Sequence, residues 1–216
     1  MEYSVIFDMD GVLVDSYEMI WDSANKILGR QGVHLSEEDI KKYVGRSFKD
    51  VIVDWNLTYG LNLELESFRE EIWDLELKFL KSMKPDRGLV KLLDDLNSKE
   101  VQLAVGTSSQ KFRADIILDY LDLTKYFPVV ISANDVELHK PSPDVFLKAA
   151  EKLKFEPEKC VVIEDAASGI EAARRGRMKS IGYVNGHNEF EDVCNADLVI
   201  NNFSEINYNL IERIFH

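Results

Sequence analysis

From Pro85 onward short apolar runs alternate with amphipathic segments, and this alternation narrows the possible folds more than any other feature of the chain. The runs at residues 101–105, 129–131, 160–163, 179–184 and 198–200 are strand-length, and the most apolar of them read as strands buried on both faces. Between them lie helical patterns at 89–96, 112–120 and 166–175, a helix opened by Ser142-Pro143-Asp144 and running to Leu153, and a closing helix at 206–214. Proline is tolerated at such a helix start because its missing N–H would have no intrahelical partner there. Strand and helix in turn predict a parallel sheet with helices on both faces.

The first such run stands apart, at the amino end. Val5, Ile6 and Phe7 read as a buried strand that stops abruptly at Asp8, Asp10 and Gly11. Two acids spaced by two residues on an extended chain project the same way, and glycine lets the chain turn sharply behind them. Converging carboxylates repel, and a bound cation is the usual relief. An Asp-x-Asp-Gly stretch taken singly is also an ordinary turn or the opening of a calcium loop.

After Asp15 the period turns helical and stays so to residue 81, far longer than a connection needs. Ser16 is placed to cap a first helix ending at Gly29, with Met19, Ile20, Ala24, Ile27 and Leu28 on its inner side. Ser36 and Asp39 form a variant of the capping box for a second. Val44-Gly45-Arg46-Ser47 interrupts, Phe48, Val51, Ile52 and Trp55 resume the spacing, and a long helix near 65–82 would bury Phe68, Ile72, Leu75, Phe79 and Leu80. The expected architecture is therefore a doubly wound α/β core made of residues 1–15 and 82–216, interrupted by an all-helical insert at 16–81.

Composition bounds the partners. At 216 residues, 45% hydrophobic and 30% charged, the chain has the balance of a soluble globular protein. Thirty-nine acids against 26 lysines and arginines give a net charge of −13, which disfavours nucleic acid and anionic membrane surfaces as ligands. No run approaches membrane-spanning length and no charged-then-apolar leader opens the chain, so a cytoplasmic location is expected. Cys160 and Cys194 lie far apart without histidines at metal spacing, and read as buried free thiols.

In an open parallel sheet, ligands bind beyond the carboxyl ends of the strands. The first strand carries Asp8 and Asp10 there; the second ends in Gly106-Thr107-Ser108-Ser109; the third is followed by Asn134-Asp135 and then His139-Lys140-Pro141; the fourth ends in Glu164-Asp165. Each has an ordinary reading alone: Thr107 as a helix cap, Lys140 as a solvated charge, Glu164-Asp165 as acids favoured at a helix start. Four such coincidences at successive strand ends are much harder to explain apart than together. Acids for a hard cation, donors for phosphate oxygens and a carboxylate nucleophile are the parts of magnesium-assisted phosphoryl transfer.

At these residues the chain resembles the haloacid dehalogenase superfamily of phosphohydrolases, in the branch with a helical cap inserted after the first motif. Asp8-Met-Asp-Gly-Val12 is similar to the first motif, Thr107 to the second, Lys140-Pro141 to the third and Glu164-Asp165 to the fourth, so the likeness covers essentially the whole chain. The resemblance implies that Asp8 attacks phosphorus to give an aspartyl-phosphate and that Asp10 protonates the leaving alcohol and then activates water. It implies that Thr107, Ser108 and Lys140 hold phosphoryl oxygens, and that Mg²⁺ is bound by Asp8, the Asp10 backbone carbonyl and Asp165, with Glu164 direct or through water. The second aspartate speaks against the superfamily's dehalogenases, which lack it. The cap would choose the substrate through a loop at Gly45, Arg46 and Lys49, and hinge closure would expel water.

A closer likeness within the superfamily is β-phosphoglucomutase, but its cap histidine falls here on Ile20 and its cap arginine on Phe48. Hydrolysis of a small phosphorylated metabolite, a sugar phosphate or one like phosphoglycolate, by a monomer or weak homodimer is thus the leading expectation. A sugar phosphomutase is second, and a non-catalytic binding module on the same scaffold is third.

Overall fold

The computed structural model describes residues 3–43 and 48–216. Its strands are β1 Ser4–Phe7, β2 Gln102–Gly106, β3 Val129–Ile131, β4 Cys160–Glu164, β5 Lys179–Tyr183 and β6 Leu198–Ile200. Its helices are α1 Tyr17–Gly29, α2 Glu37–Lys41, α3 Phe48–Tyr59, α4 Leu65–Leu80, α5 Arg87–Ser98, α6 Lys111–Tyr120, α7 Asp144–Leu153, α8 Ala167–Arg175, α9 Phe190–Val193 and α10 Tyr208–Arg213. The chain divides into one unit of Met1–Asp15 with Lys84–His216 and a second of Ser16–Met83. Among the described residues no helix is long and apolar enough to cross a membrane.

In the larger unit the six strands form one sheet in the order β3-β2-β1-β4-β5-β6, every pairing parallel. Strand order reverses at β1, which has β2 on one side and β4 on the other, and such a reversal opens a crevice at the strands' carboxyl ends. Ile6, Ala104 and Val162 join one buried cluster with Val145, Phe146 and Ala149 of α7 and with Ala172 and Ala173 of α8. Their neighbours Val5, Phe7, Val105, Val161 and Ile163 point to the opposite face and are just as fully buried. Phe7 meets Phe127 edge-on there, ring centroids 5.5 Å apart. Burial of each large apolar side chain contributes about 1.5–3 kcal/mol, so the middle of the sheet is a rigid floor.

The helices around it form for local reasons. Asp86 caps α5 by accepting from the Leu89 N–H at 2.9 Å, and Leu89, Leu92, Leu93 and Leu96 make its buried stripe. Pro143 immediately precedes α7, whose run ends where Lys154 turns left-handed at φ +62°.

The helical unit departs from expectation in detail. Its Ser36–Asp39 capping box is present. Ser16, by contrast, makes no side-chain cap bond: its backbone is already helical, with φ −89° and ψ −6°, whereas a capping side chain reaches back from an extended residue. In α4 the buried row runs at intervals of four through Phe68, Ile72, Glu76 and Leu80, so that Leu75 and Phe79 are only half-buried and an acid is carried inside. The ammonium of Lys26 lies 4.3 Å from the centre of the Phe79 ring, which accounts for the stripe's edge tolerating a cation. Residues 44–47, with Gly45 and Arg46, lie outside the described residues, and Lys49 is exposed on α3. Cys160 is buried in β4, but Cys194 is exposed, because it stands one residue beyond the short α9 rather than on its inner side.

Candidate active site

Asp8 follows β1 directly, and its N–H continues the ladder to the Ile163 carbonyl at 2.9 Å, which locks the backbone that carries the side chain. Met9 turns into the core, fully buried, while Asp8 and Asp10 face the other way. Gly11, at φ +80°, and the N–H groups of residues 12–14 bonded to the Met9 carbonyl close the turn behind them.

Lys140 reaches Asp8 from the long connection between β3 and α7. Its ammonium lies 2.5 Å from Asp8 Oδ1 and 2.8 Å from Glu164 Oε2, with the lysine side chain only 7% exposed. Phe146 supports it from below, the ammonium standing 4.6 Å from the ring centre. Gly106 makes room for that ring, since a Cβ there would press against Phe146 at 2.8 Å. Glu164 is the last residue of β4; its Oε1 accepts from the N–H groups of Asp165 and Ala166, both at 3.1 Å. A Cβ at Gly169 of α8 would overlap the Glu164 carboxylate, so glycine there lets helix and acid pack together.

Asp8, Glu164 and Asp165 offer oxygens that all lie within 4.8 Å of one another, the one such group of metal-ligating side chains among the described residues. Burial, with Glu164 next in weight, pushes the Asp8 acid up to about 7 against the opposing pull of Lys140. Asp165 is raised well above the carboxylate range for the same reasons, burial first and then Glu164 and Asp8. Burial works to lower Lys140, but Asp8 and Glu164 outweigh it and hold the ammonium charged. Fully ionised, three carboxylates against one ammonium would leave two negative charges in a nearly dry place, and that repulsion adds to burial in raising Asp8 and Asp165. All-oxygen donors of that charge fit a small hard divalent cation.

Asp10 has different company. Its carboxylate accepts from Arg113 Nη1 through both oxygens at 2.8 Å and from Ser109 Oγ at 2.6 Å, and Arg113 also donates to Ser109 Oγ. Its side chain is 27% exposed. The carboxylate is not part of the Asp8–Glu164–Asp165 group.

Thr107 is buried at the end of β2, its N–H bonded to the Ile131 carbonyl at 2.9 Å. Its Oγ1 accepts from the Ser109 N–H at 3.0 Å, closing a two-residue turn. It does not cap α6, which begins at Lys111 after Gln110. Ser108 is exposed, and Ser109 is the hydroxyl that turns to Asp10. Asn134 and Asp135 serve the scaffold: Asn134 Oδ1 accepts from the Lys111 N–H at the start of α6, and Asp135 holds Ser132.

Arg113 and the pair Asn185 and Asn188 are absent from the sequence-based set, and Ser109, named there at the second strand end, is given no role of its own. Nothing in the apolar pattern marks Arg113, one of two cations on its helix with Lys111. The clue to the asparagines was available, since they follow β5 directly and so stand at a fifth strand end.

Comparison with known proteins adds four findings. The family model described as haloacid dehalogenase-like hydrolase matches residues 5–183. A phosphorylated carbohydrates phosphatase of Thermotoga maritima is 30% identical over 198 residues, 91% of this chain and 92% of that protein. A fructose-1-phosphate phosphatase of Escherichia coli is 31% identical over 185 residues, covering 82% and 94%. Among solved structures, a β-phosphoglucomutase from Clostridium difficile superposes with a TM-score of 0.85 over 100% of this chain and 97% of that one, at 23% identity.

Proposed function

The chain belongs to the haloacid dehalogenase-like hydrolases, and from that premise we propose that it is a Mg²⁺-dependent phosphatase of a small phosphorylated metabolite, a sugar phosphate or similar anion. The observation that carries the reading is the buried Lys140 ammonium held between Asp8 and Glu164, with Asp165 beside them.

In the proposed reaction an Asp8 oxygen bonds to phosphorus as the ester P–O bond breaks, leaving an aspartyl-phosphate. Asp10 gives its proton to the departing alkoxide, then removes one from the water that attacks the phosphorus and returns Asp8 to its free form. Lys140 and the Thr107 hydroxyl are suited to hold the transferring oxygens, with Ser108 at the open side of the turn. Mg²⁺ would be held by Asp8, Asp165 and the Asp10 carbonyl, with Glu164 direct or through water; when bound it offsets the charge gathered at the reacting phosphoryl group. Arg113 and Ser109 fix the Asp10 carboxylate in one orientation. Choice of leaving group is assigned to the helical insert, through Gly45, Arg46 and Lys49.

The purified protein with Mg²⁺ should release inorganic phosphate from hexose phosphates and from a generic aryl phosphate. Asp8→Asn should reduce turnover by about 10⁴-fold or more, the scale at which loss of a nucleophile is felt. Full activity in that variant would remove Asp8 from the role. Isomerised sugar phosphate in place of free phosphate would assign the protein to the mutases, and no turnover of any ester would favour a binding module.

A further inference from the structure

The two oxygens of Asp165 are not equivalent. Oδ2 accepts from Asn185 Nδ2 at 2.8 Å and sits so close to Gly11 that a Cβ there would overlap it. The backbone carbonyl of Asp165 accepts from Asn188 Nδ2 at 2.5 Å. Both amides are oriented without ambiguity. Asn185 Oδ1 accepts from the His187 N–H at 3.0 Å and Asn188 Oδ1 from the Asn185 N–H at 2.9 Å, so each NH₂ must face the acceptors opposite. Those acceptors are Asp165 Oδ2 and the Gly11 carbonyl, 3.0 Å away, for Asn185, and the carbonyls of Asp165 and Tyr183, the latter 2.9 Å away, for Asn188. Gly186, at φ +90°, supplies the reversal that turns both side chains inward.

We infer that Asn185 and Asn188 are positioning residues of the cation site: Asn185 ties the Asp165 carboxylate to the turn after β1, Asn188 ties the Asp165 backbone to the end of β5, and together they reserve Oδ1 for the ion. The inference rests on the proposed reading of Asp8, Glu164 and Asp165 as that site. A neutral amide is the right chemistry for the task. A lysine or arginine would orient Asp165 equally well but cancel the charge that attracts a cation, whereas an amide directs the carboxylate and leaves its charge intact. Fixing the side chain beforehand also removes an ordering cost from metal binding.

The test is calorimetric titration of MgCl₂ into the metal-stripped full chain, as wild type and as Asn185→Leu, Asn188→Ala, Asp165→Ala and His187→Ala. The expected result is measurable binding by wild type, binding weakened about 10- to 100-fold in the two asparagine variants, none in Asp165→Ala, and no change in His187→Ala, whose side chain pairs with Asp15. Phosphatase activity lost in the asparagine variants should return when Mg²⁺ is raised by the same factor, which a general folding defect would not allow. Should the leucine variant not fold, Asn185→Ser carries the same expectation, since its short side chain cannot span both acceptors. Wild-type affinity in the asparagine variants would overturn the inference and leave the site itself standing. Failure of the wild-type protein to bind Mg²⁺ would overturn the underlying reading and the inference with it.

Discussion

Two aspartates two residues apart end up in opposite surroundings. Asp8 is buried among Lys140, Glu164 and Asp165, where burial raises its acid to about 7; Asp10 is partly open to solvent and is gripped by Arg113 and Ser109. The backbone alternation that carries both to the same side of β1 is identical for the two. What separates them is what other elements bring: β4 supplies further acids and the β3–α7 connection a lysine shared with them on one side, and α6 supplies an arginine on the other. One residue type is thus given opposite electrostatic company by what packs beside it.

The sharpest way to break this contrast is to remove the shared cation. Lys140→Met keeps the stem but leaves Asp8 and Glu164 facing each other in a dry site, and should cost about 3–5 kcal/mol of stability, read by denaturant unfolding, together with most of the turnover. An unfolding curve superimposable on wild type would mean that the buried cluster is better solvated than its geometry implies.

A smaller effect is expected on the other side. Asp10→Asn should slow hydrolysis of an alkyl phosphate by about 10²–10⁴-fold. An aryl phosphate, whose leaving group needs no proton, should suffer less in its first step. Arg113→Met should follow the same leaving-group pattern at reduced size, because it loosens Asp10 without deleting it. Equal losses for alkyl and aryl esters would separate Arg113 from proton transfer.

The smallest effect sharpens the comparison through pH. Because the Asp8 acid is raised above its unfolded value, the metal-free protein holds that proton more tightly when folded. Its stability should therefore rise as pH falls from about 7 toward the ordinary carboxylate value near 4, and decline as pH climbs back through 7. Mg²⁺ must displace the same proton, so the rise in melting temperature on adding it should be larger at pH 8 than at pH 6. An equal rise at both would detach Asp8 from the cation.

The sheet and the buried cluster were legible because their residues are chemically out of place: acids, a hydroxyl and a lysine follow apolar runs that have no local use for them. Asp8, Thr107, Glu164 and Asp165 could be placed from such run ends alone. The neighbours that set their behaviour were not. Arg113 is indistinguishable in pattern from a solvated helix cation until α6 is seen to aim it at Asp10. Asn185-Gly186 reads as ordinary turn chemistry, and only β5 lying beside β4 brings it to Asp165. Glu76 escaped because its helix buries a row at intervals of four while the apolar count favoured Leu75 and Phe79. Spacing names the residues on an element; which of them point inward is decided by what packs against it.

The claim on which all this depends is that phosphorus passes through a covalent bond to Asp8. Quenching a steady-state reaction with hydroxylamine and mapping the peptides by mass spectrometry tests it directly, since an acyl phosphate is converted to a hydroxamate at the residue that carried it. The account predicts modification at Asp8 and none at Asp10. Modification at Asp10, or turnover with no modified aspartate at all, would contradict it.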